Sequence, residues 1–226
     1  MSRLRWSAPL HLRCAHLVAV EVGPRRSVRM DIPFPSLPPV PDGQYRTVLA
    51  DPPWAYDDDL PGPKRGSSAH YDTLHAKTVA GMGPQIRKIT DGNCHLYLWV
   101  TNSFLQAGFD IIKTWGFTYK TMITWVKITE GPGCLPHETD SIKVNPRIGM
   151  GRYFRNVTEH LMFATKGSLT TQSNRIGTVL FDERTEHSQK PELAYNLIEE
   201  ASEGPRLELF ARSRRSGWDC WGDELD

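Results

Sequence analysis

The sequence predicts an α/β domain built on a largely parallel sheet, and three stretches carry that prediction. Thr47-Val48-Leu49-Ala50 is a β-branched and aliphatic run that ends abruptly in Asp51-Pro52-Pro53-Trp54. Cys94 to Val100 reads as a strand, followed by an amphipathic helix and then a second strand from Lys120 to Lys127. A strand–helix–strand order of this kind is the mark of a parallel sheet. Arg206 to Ala211, near the end of the chain, is a further buried strand.

Taken in order, residues 1–30 look unlike the rest. Arg3, Arg5, Arg13, Arg25, Arg26 and Arg29 stand there against the single acid Glu21, with no sustained period. A poorly ordered tail is the reading of that composition; a nucleic-acid-binding arm is the alternative, and Met30 makes a plausible domain start. Pro33, Pro35, Pro38, Pro39 and Pro41 make an extended lead-in. The run from Thr47 reads as a strand that must stop at Pro52, because proline donates nothing to a sheet ladder. The polar loop from Tyr56 to Ala69 is long enough to suggest an active-site lid, and His70-Tyr71-Asp72-Thr73-Leu74 closes it.

Val79 to Ile89 is a weak helix interrupted by Gly81, Gly83 and Pro84. After the Cys94–Val100 strand, Ser103 is expected to cap a helix with apolar positions Phe104, Leu105, Gly108, Ile111, Ile112 and Trp115, and Gly116 to stop it. Met122, Thr124 and Val126 alternate with Ile123 and Trp125 along the next strand. Residues 128–155 form a second irregular segment carrying Arg147, Arg152 and Arg155. Glu159 to Thr165 and Thr178 to Phe181 read as strands. Pro191 opens a helix from Glu192 to Ala201. No internal repeat is visible.

Composition bounds the function. At 226 residues and a net charge of +1, the chain is long enough for one full α/β core but announces no polyanion partner through its overall charge. Any nucleic-acid contact must come from local basic patches. Cys14, Cys94, Cys134 and Cys220 are far apart and read as reduced, structural thiols. The eight histidines show no metal-ligand spacing, so no catalytic metal is expected. The apolar run Leu17 to Val22 is too short to span a bilayer and contains Glu21, and its flanks make a poor signal peptide. A cytoplasmic protein without a membrane segment is expected.

The acid, two prolines and aromatic ring at the end of the first strand suit chemistry on an amino group conjugated to a ring. Open α/β sheets place their ligands at the carboxyl ends of their strands. The 6-amino nitrogen of adenine is a poor nucleophile because its lone pair is delocalised. A carboxylate and a rigid backbone carbonyl can each accept one of its hydrogens and turn that lone pair outwards. Catalysis is then a matter of positioning and fixed dipoles. Trp54 would offer a stacking face to an extruded base.

Further pieces fall in order: His70-Tyr71-x-Thr73-Leu74, Leu98-Trp99-Val100-Thr101-Asn102, Trp115-Gly116-Phe117, Trp125-x-Lys127 and Glu159-His160. His187-Ser188-x-Lys190-Pro191, Glu208-Leu209-Phe210-Ala211-Arg212 and Gly217-Trp218 follow. From about Asp31 to the C-terminus the chain resembles the adenine-N6 methyltransferase family that includes the catalytic subunit of the messenger-RNA adenosine methyltransferase and small bacterial and phage members. The resemblance implies a Rossmann-like, S-adenosylmethionine-dependent fold. Its sheet would be mixed but mostly parallel with helices on both faces, and its target-amine motif would precede its cofactor motif. Residues 31–226 would be the methyltransferase domain.

By the same resemblance, Asp51, Pro52, Pro53 and Trp54 are the catalytic residues. The cofactor would be held by Asp31 and Ile32 at its adenine, Lys190 at its carboxylate and Glu208 at its ribose. Asp51, Phe210, Arg212 and Arg214 would lie beside it, with Asp223 and Glu224 at the outer rim. No G-x-G follows Phe210, and Asp223 stands where an amide is common. Substrate contacts are expected from Tyr56, Lys64, Arg65 and Tyr71 of the first loop and from Arg147, Arg152 and Arg155 of the second. Tyr71, Trp99 and Trp125 also read as core residues.

The expected reaction is methyl transfer to the 6-amino nitrogen of adenine in DNA, since no RNA-binding module or zinc finger is recognisable. The alternatives are the same reaction on RNA, or a non-catalytic nucleic-acid-binding subunit of a methyltransferase heterodimer. The intact acid and aromatic of the motif favour an enzyme, acting as a homodimer or beside a paralogous subunit.

Overall fold

A computed structural model describes residues 41–55, 74–128, 153–183, 189–223 and 225. The expectations on the tail 1–30, the loop from Tyr56 to Ala69 and most of the segment 128–155 lie outside those residues. The described part is an α/β sheet domain. Its elements run β1 (Tyr45–Ala50), α1 (Ala76–Gly81), α2 (Gly83–Ile89), β2 (Thr90–Val100), α3 (Leu105–Thr114), β3 (Thr118–Ile128) and β4 (Thr158–Lys166). They continue with β5 (Val179–Glu183), α4 (Glu192–Ala201), β6 (Arg206–Leu209) and β7 (Asp219–Trp221).

The strands form a seven-stranded sheet of order β5-β3-β4-β2-β1-β6-β7. β1 pairs in parallel with β2 and β6, β3 with β5, and β6 with β7, whereas β4 runs antiparallel to both β2 and β3. The sheet is therefore mixed and mostly parallel, as expected. One detail differs. The strand–helix–strand unit β2–α3–β3 does not place its strands side by side, because β4 is inserted between them. Ladders on both edges and burial of Leu161, Met162 and Ala164 stabilise that insertion.

Central strands read as continuous apolar runs because both of their faces are covered. On one face Val48, Ala50, Leu96, Leu98, Val100, Leu207 and Leu209 pack against Val79 of α1, Ile86 of α2 and Ile111 and Ile112 of α3. On the other, Leu49, Tyr97, Trp99 and Trp125 pack against Ala194, Leu197 and Ile198 of α4. Trp99 and Trp125 are core residues, each 1% exposed. Cys94 and Cys220 are both free thiols. Among the described residues no helix is long and apolar enough to cross a membrane.

Helix boundaries follow local chemistry. Gly116, at φ 88°, ends α3: its N–H bonds the Lys113 carbonyl at 3.1 Å while the Phe117 N–H bonds that of Ile112 at 3.0 Å. At the other end Ser103 is not the cap. A 3₁₀ turn spans Asn102–Phe104, and Phe104 holds the cap position of α3 without a side-chain capping bond. Packing replaces the cap there, because the Phe104 ring stacks on Trp54 at 4.7 Å. The C-terminal strand β7 was not legible in a segment so rich in Gly, Trp and Asp. β6 ends at Leu209 because Phe210 adopts a left-handed backbone, φ 63°.

Candidate active site

The ladder of β1 continues one residue beyond the strand, with the Asp51 N–H bonding the Leu209 carbonyl at 3.4 Å. The prolines then turn the chain out of the sheet. The Pro53 carbonyl accepts the Leu74 N–H at 2.7 Å, and the Ala55 N–H reaches the Leu74 carbonyl at 3.1 Å. Trp54 is buried, with its indole N–H on the Trp99 carbonyl at 3.3 Å and its ring nearly parallel to Phe104. That ring clamps the turn, with one face already taken by Phe104.

Asp51 is met from the opposite end of the molecule's sequence. Lys190, immediately before α4, lies with Nζ 2.6 Å from Asp51 Oδ2 and 3.6 Å from Glu159 Oε2. Glu159, at the start of β4, bonds Lys127 Nζ at the end of β3 at 2.5 Å. β4 runs against its neighbours, so its first residues stand at the same edge as the last residues of β1 and β3. The result is an alternating row, Lys127–Glu159–Lys190–Asp51, with each member less than one-fifth exposed. The two ammoniums also lie over indole rings, Lys127 4.9 Å from Trp125 and Lys190 5.5 Å from Trp99.

Desolvation and charge oppose each other along this row. Burial alone pushes the Lys190 ammonium down, but Asp51 and Glu159 more than reverse that and hold it above the ordinary lysine value. Burial pushes Glu159 up, and the attraction of Lys190 and Lys127 overturns it, so the carboxyl stays ionised below the usual range. A cation at a helix N-terminus opposes the helix dipole. Lys190 is kept charged there by its two carboxylates.

Glu208, the third residue of β6, is buried and pairs in register with Leu49 of β1 and Cys220 of β7. Tyr195 of α4 donates its hydroxyl to Glu208 Oε1 at 2.8 Å. Burial raises the Glu208 carboxyl above its ordinary value, offset in part by that hydrogen bond, and the charge of Asp51 adds to the rise. Burial also drives the Tyr195 hydroxyl well above its usual range. Arg215 braces this corner: its guanidinium lies 3.7 Å from the Tyr195 ring and forks onto both oxygens of Glu192.

Other expected residues are distributed less evenly. Arg212 is close enough to Lys190 for its charge to lower the ammonium, whereas Arg214 is exposed and its charge is felt at Cys220. The Phe210 ring is buried edge-on against Trp221, 5.5 Å between centroids. Asp223 and Arg155 are exposed. Asp31, Ile32, Tyr56, Lys64, Arg65, Tyr71, Arg147, Arg152 and Glu224 lie outside the described residues. Glu159, Lys127 and Tyr195 had no role in the sequence reading. The pieces Trp125-x-Lys127 and Glu159-His160 were the available signal for the first two.

A mixed, mostly parallel sheet covered by helices on both faces, with an acid-Pro-Pro turn at its carboxyl edge, is a Rossmann-like methyltransferase architecture. The chain belongs to the MT-A70 family, whose model matches residues 45–224. It is 28% identical over 216 residues to the Type II methyltransferase M.MunI of a Mycoplasma species, covering 87% of this chain and 83% of that protein. With the probable N(6)-adenosine-methyltransferase MT-A70-like of Oryza sativa subsp. japonica it shares 30% identity over 205 residues, which is 89% of this chain and 24% of the rice protein. Against the N(6)-adenosine-methyltransferase catalytic subunit METTL3 of Homo sapiens the values are 28% over 189 residues, 81% and 29%. The chain thus spans most of the Mycoplasma protein but only 24% and 29% of these two eukaryotic relatives.

Methyltransferases of this family depend on S-adenosylmethionine. The donor set at the edge fits such a molecule. A buried ammonium, Lys190, suits an amino-acid carboxylate, and a carboxyl at the end of a strand, Glu208, suits a vicinal diol.

Proposed function

We propose that this protein transfers a methyl group from S-adenosylmethionine to the 6-amino nitrogen of adenine in DNA. The observation that carries the reading is the ionised row at the carboxyl edge, in which Lys190 Nζ lies 2.6 Å from Asp51 Oδ2. When bound, the cofactor would supply a sulfonium methyl group: the amine's lone pair would form the new N–C bond as the methyl–sulfur bond breaks, leaving a neutral thioether, and one proton would be lost from the nitrogen.

The chain's own residues do the positioning. Asp51 accepts one amine hydrogen. The Pro53 carbonyl is engaged by Leu74, so the second backbone acceptor is that of Pro52. The proline pair keeps that carbonyl from turning away, and Trp54 pins the turn against Trp99 and Phe104. Lys190 holds the cofactor carboxylate and Glu208 its ribose hydroxyls, while Asp31, Ile32, Phe210, Arg212, Arg214, Asp223 and Glu224 complete its surroundings. Tyr56, Lys64, Arg65, Tyr71, Arg147, Arg152 and Arg155 serve the substrate, in a catalytic domain from about residue 31 onwards that works in the cytoplasm, alone or paired with a second subunit.

Alignment over most of a protein named a Type II methyltransferase supports DNA as the substrate. Identity with the N(6)-adenosine-methyltransferases favours the same reaction on RNA as the second reading. Genomic DNA and total RNA from cells expressing the protein are digested to nucleosides, and N6-methyladenine is quantified in each. A rise in DNA alone is expected, and a rise in RNA alone transfers the reading to RNA. Asp51→Asn should remove at least about a hundredfold of the rate, and near-normal turnover by that variant would abolish the assignment.

A further inference from the structure

Two adjacent aromatic residues stand out against the buried ones. Tyr153 is 86% and Phe154 87% exposed, whereas Phe109, the other large apolar side chain exposed among the described residues, is only 39% exposed. Single exposed apolar residues need no explanation, but a largely exposed aromatic pair forgoes the burial that stabilises nearly every other ring among the described residues. Arg155 follows directly and is exposed too.

The backbone that carries the pair is tied to the active edge. Lys127 N–H bonds the Val157 carbonyl at 2.9 Å. Asn102, in the 3₁₀ turn that follows β2, donates Nδ2–H to Asn156 Oδ1 at 3.1 Å. His160 Nε2–H donates to Asn102 Oδ1 at 2.7 Å, which leaves Nδ1 to accept the Thr124 hydroxyl at 3.2 Å. That arrangement uses a neutral imidazole, and burial does lower the basicity of His160. Thr124, His160, Asn102 and Asn156 thus form one relay from β3 through β4 to the turn after β2 and the segment that enters β4. It fixes the residues just after Phe154 beside Glu159, a member of the charged row.

Aromatic faces interleaved with arginine match a nucleic-acid strand whose bases are not fully stacked. Extruding an adenine for chemistry creates such a strand, because the neighbouring bases lose a partner and an aromatic side chain can cover the exposed face. Resting on the nucleic-acid reading above, we propose that Tyr153 and Phe154 stack on bases beside the target adenine while Arg155 lies against the strand's phosphates. The relay through Asn102 and His160 keeps that platform in register with Asp51.

The test uses the full chain and fluorescein-labelled oligonucleotides of one adenine-containing sequence, as single-stranded DNA, duplex DNA and RNA, with heparin as a polyanion that has no bases. Phe154→Ala is expected to weaken binding of the preferred oligonucleotide by about fivefold or more, with heparin binding and the salt slope unchanged. Arg155→Ala should weaken both and reduce the salt slope by about one. Phe154→Trp should retain affinity, and its indole fluorescence should be quenched by the oligonucleotide but not by heparin. The nucleic acid that gives the largest Phe154 effect identifies the strand bound. Parent-like affinity in Phe154→Ala, or equal losses for oligonucleotide and heparin, overturns the proposal while leaving methyl transfer intact. A Phe154→Ala protein that loses self-association with unchanged oligonucleotide affinity overturns it as well and makes the pair a subunit contact. Absence of binding to any oligonucleotide by the parent protein would overturn the nucleic-acid reading itself.

Discussion

Lys190 and Asp51 are 139 positions apart in the chain, yet the ammonium of one lies 2.6 Å from the carboxylate of the other. Neither group stands alone, since Glu159 holds the far side of Lys190 and Lys127 the far side of Glu159. On the proposed reading, a cofactor carboxylate at Lys190 would enter a row already balanced between two cations and two anions. That carboxylate would compete with Asp51 and Glu159 for the same ammonium.

That competition defines a first prediction. Lys190→Ala and Glu208→Ala should each weaken S-adenosylmethionine binding by about 1–3 kcal/mol, the cost of losing a hydrogen bond to a charged group. Titration calorimetry measures both. Unchanged affinity in the pair of variants would mean that β6 is not the cofactor strand.

Glu159→Gln tests the row as a unit. Removing its charge leaves Lys127 and Lys190 facing a neutral amide, and stability should fall by about 1–3 kcal/mol at pH 7. The sign with pH follows from the depressed carboxyl. Its contribution is fully present above the unfolded value near 4.5 and is lost as pH falls through the lower, folded value. The parent and the variant should therefore converge in urea unfolding as the pH drops below about 4.5. A gap that persists to pH 3 would assign the loss to packing instead.

His95 should make the protein sensitive to mild acid. The ring is buried between Ser202, 2.7 Å from Nδ1, and the Leu169 carbonyl, 3.1 Å from Nε2, and burial lowers its basicity below the ordinary value of 6.5. Glu203 and Arg46, the charges nearest it, act in opposite directions. A folded value below the unfolded one means that this contribution is full above about pH 6.5 and is lost as pH falls towards the folded value. Each unit in that window costs about 1.4 kcal/mol. Thermal unfolding should show a lower Tm at pH 5.5 than at 7.5, and His95→Gln should flatten that slope. An equally steep slope in the variant would shift the effect to another histidine.

Gly222→Ala should loosen the C-terminal edge of the sheet. A β-carbon at Gly222 would lie 2.1 Å from the Ala211 carbonyl oxygen, and Ala211 N–H bonds the Trp221 carbonyl at 2.9 Å. The obstacle is backbone, which cannot rotate away as a side chain can. A loss of about 1–3 kcal/mol is expected, together with faster amide exchange in β7. Parent-like exchange there would show that the strand tolerates the shift.

Much of the sheet was legible from local pattern. The apolar runs at Thr47–Ala50, Cys94–Val100 and Glu159–Thr165 are strands because nearly every residue in them is covered on both faces. Gly116 ended its helix as expected, since only a residue tolerant of positive φ closes that turn without strain. Ser103 misled because capping preference is weak beside the stacking of Phe104 on Trp54. The insertion of β4 between β2 and β3 left no local trace, since pairing partners and direction are properties of the whole sheet.

The site divides in the same way. By itself the sequence determined where the Asp51-Pro52-Pro53 turn stands, because an acid followed by two prolines can only end a strand, and strand ends are where open α/β sheets hold ligands. It also determined the order of the motifs that mark the family. Only the tertiary structure decided that Lys127 and Glu159 belong with Lys190 and Asp51, because that row exists through the reversal of β4, which carries its first residue pair to the edge where β1 and β3 finish. Glu159 is held below and Lys190 above its ordinary value because the two groups are buried beside each other's charge, and no linear pattern encodes that proximity.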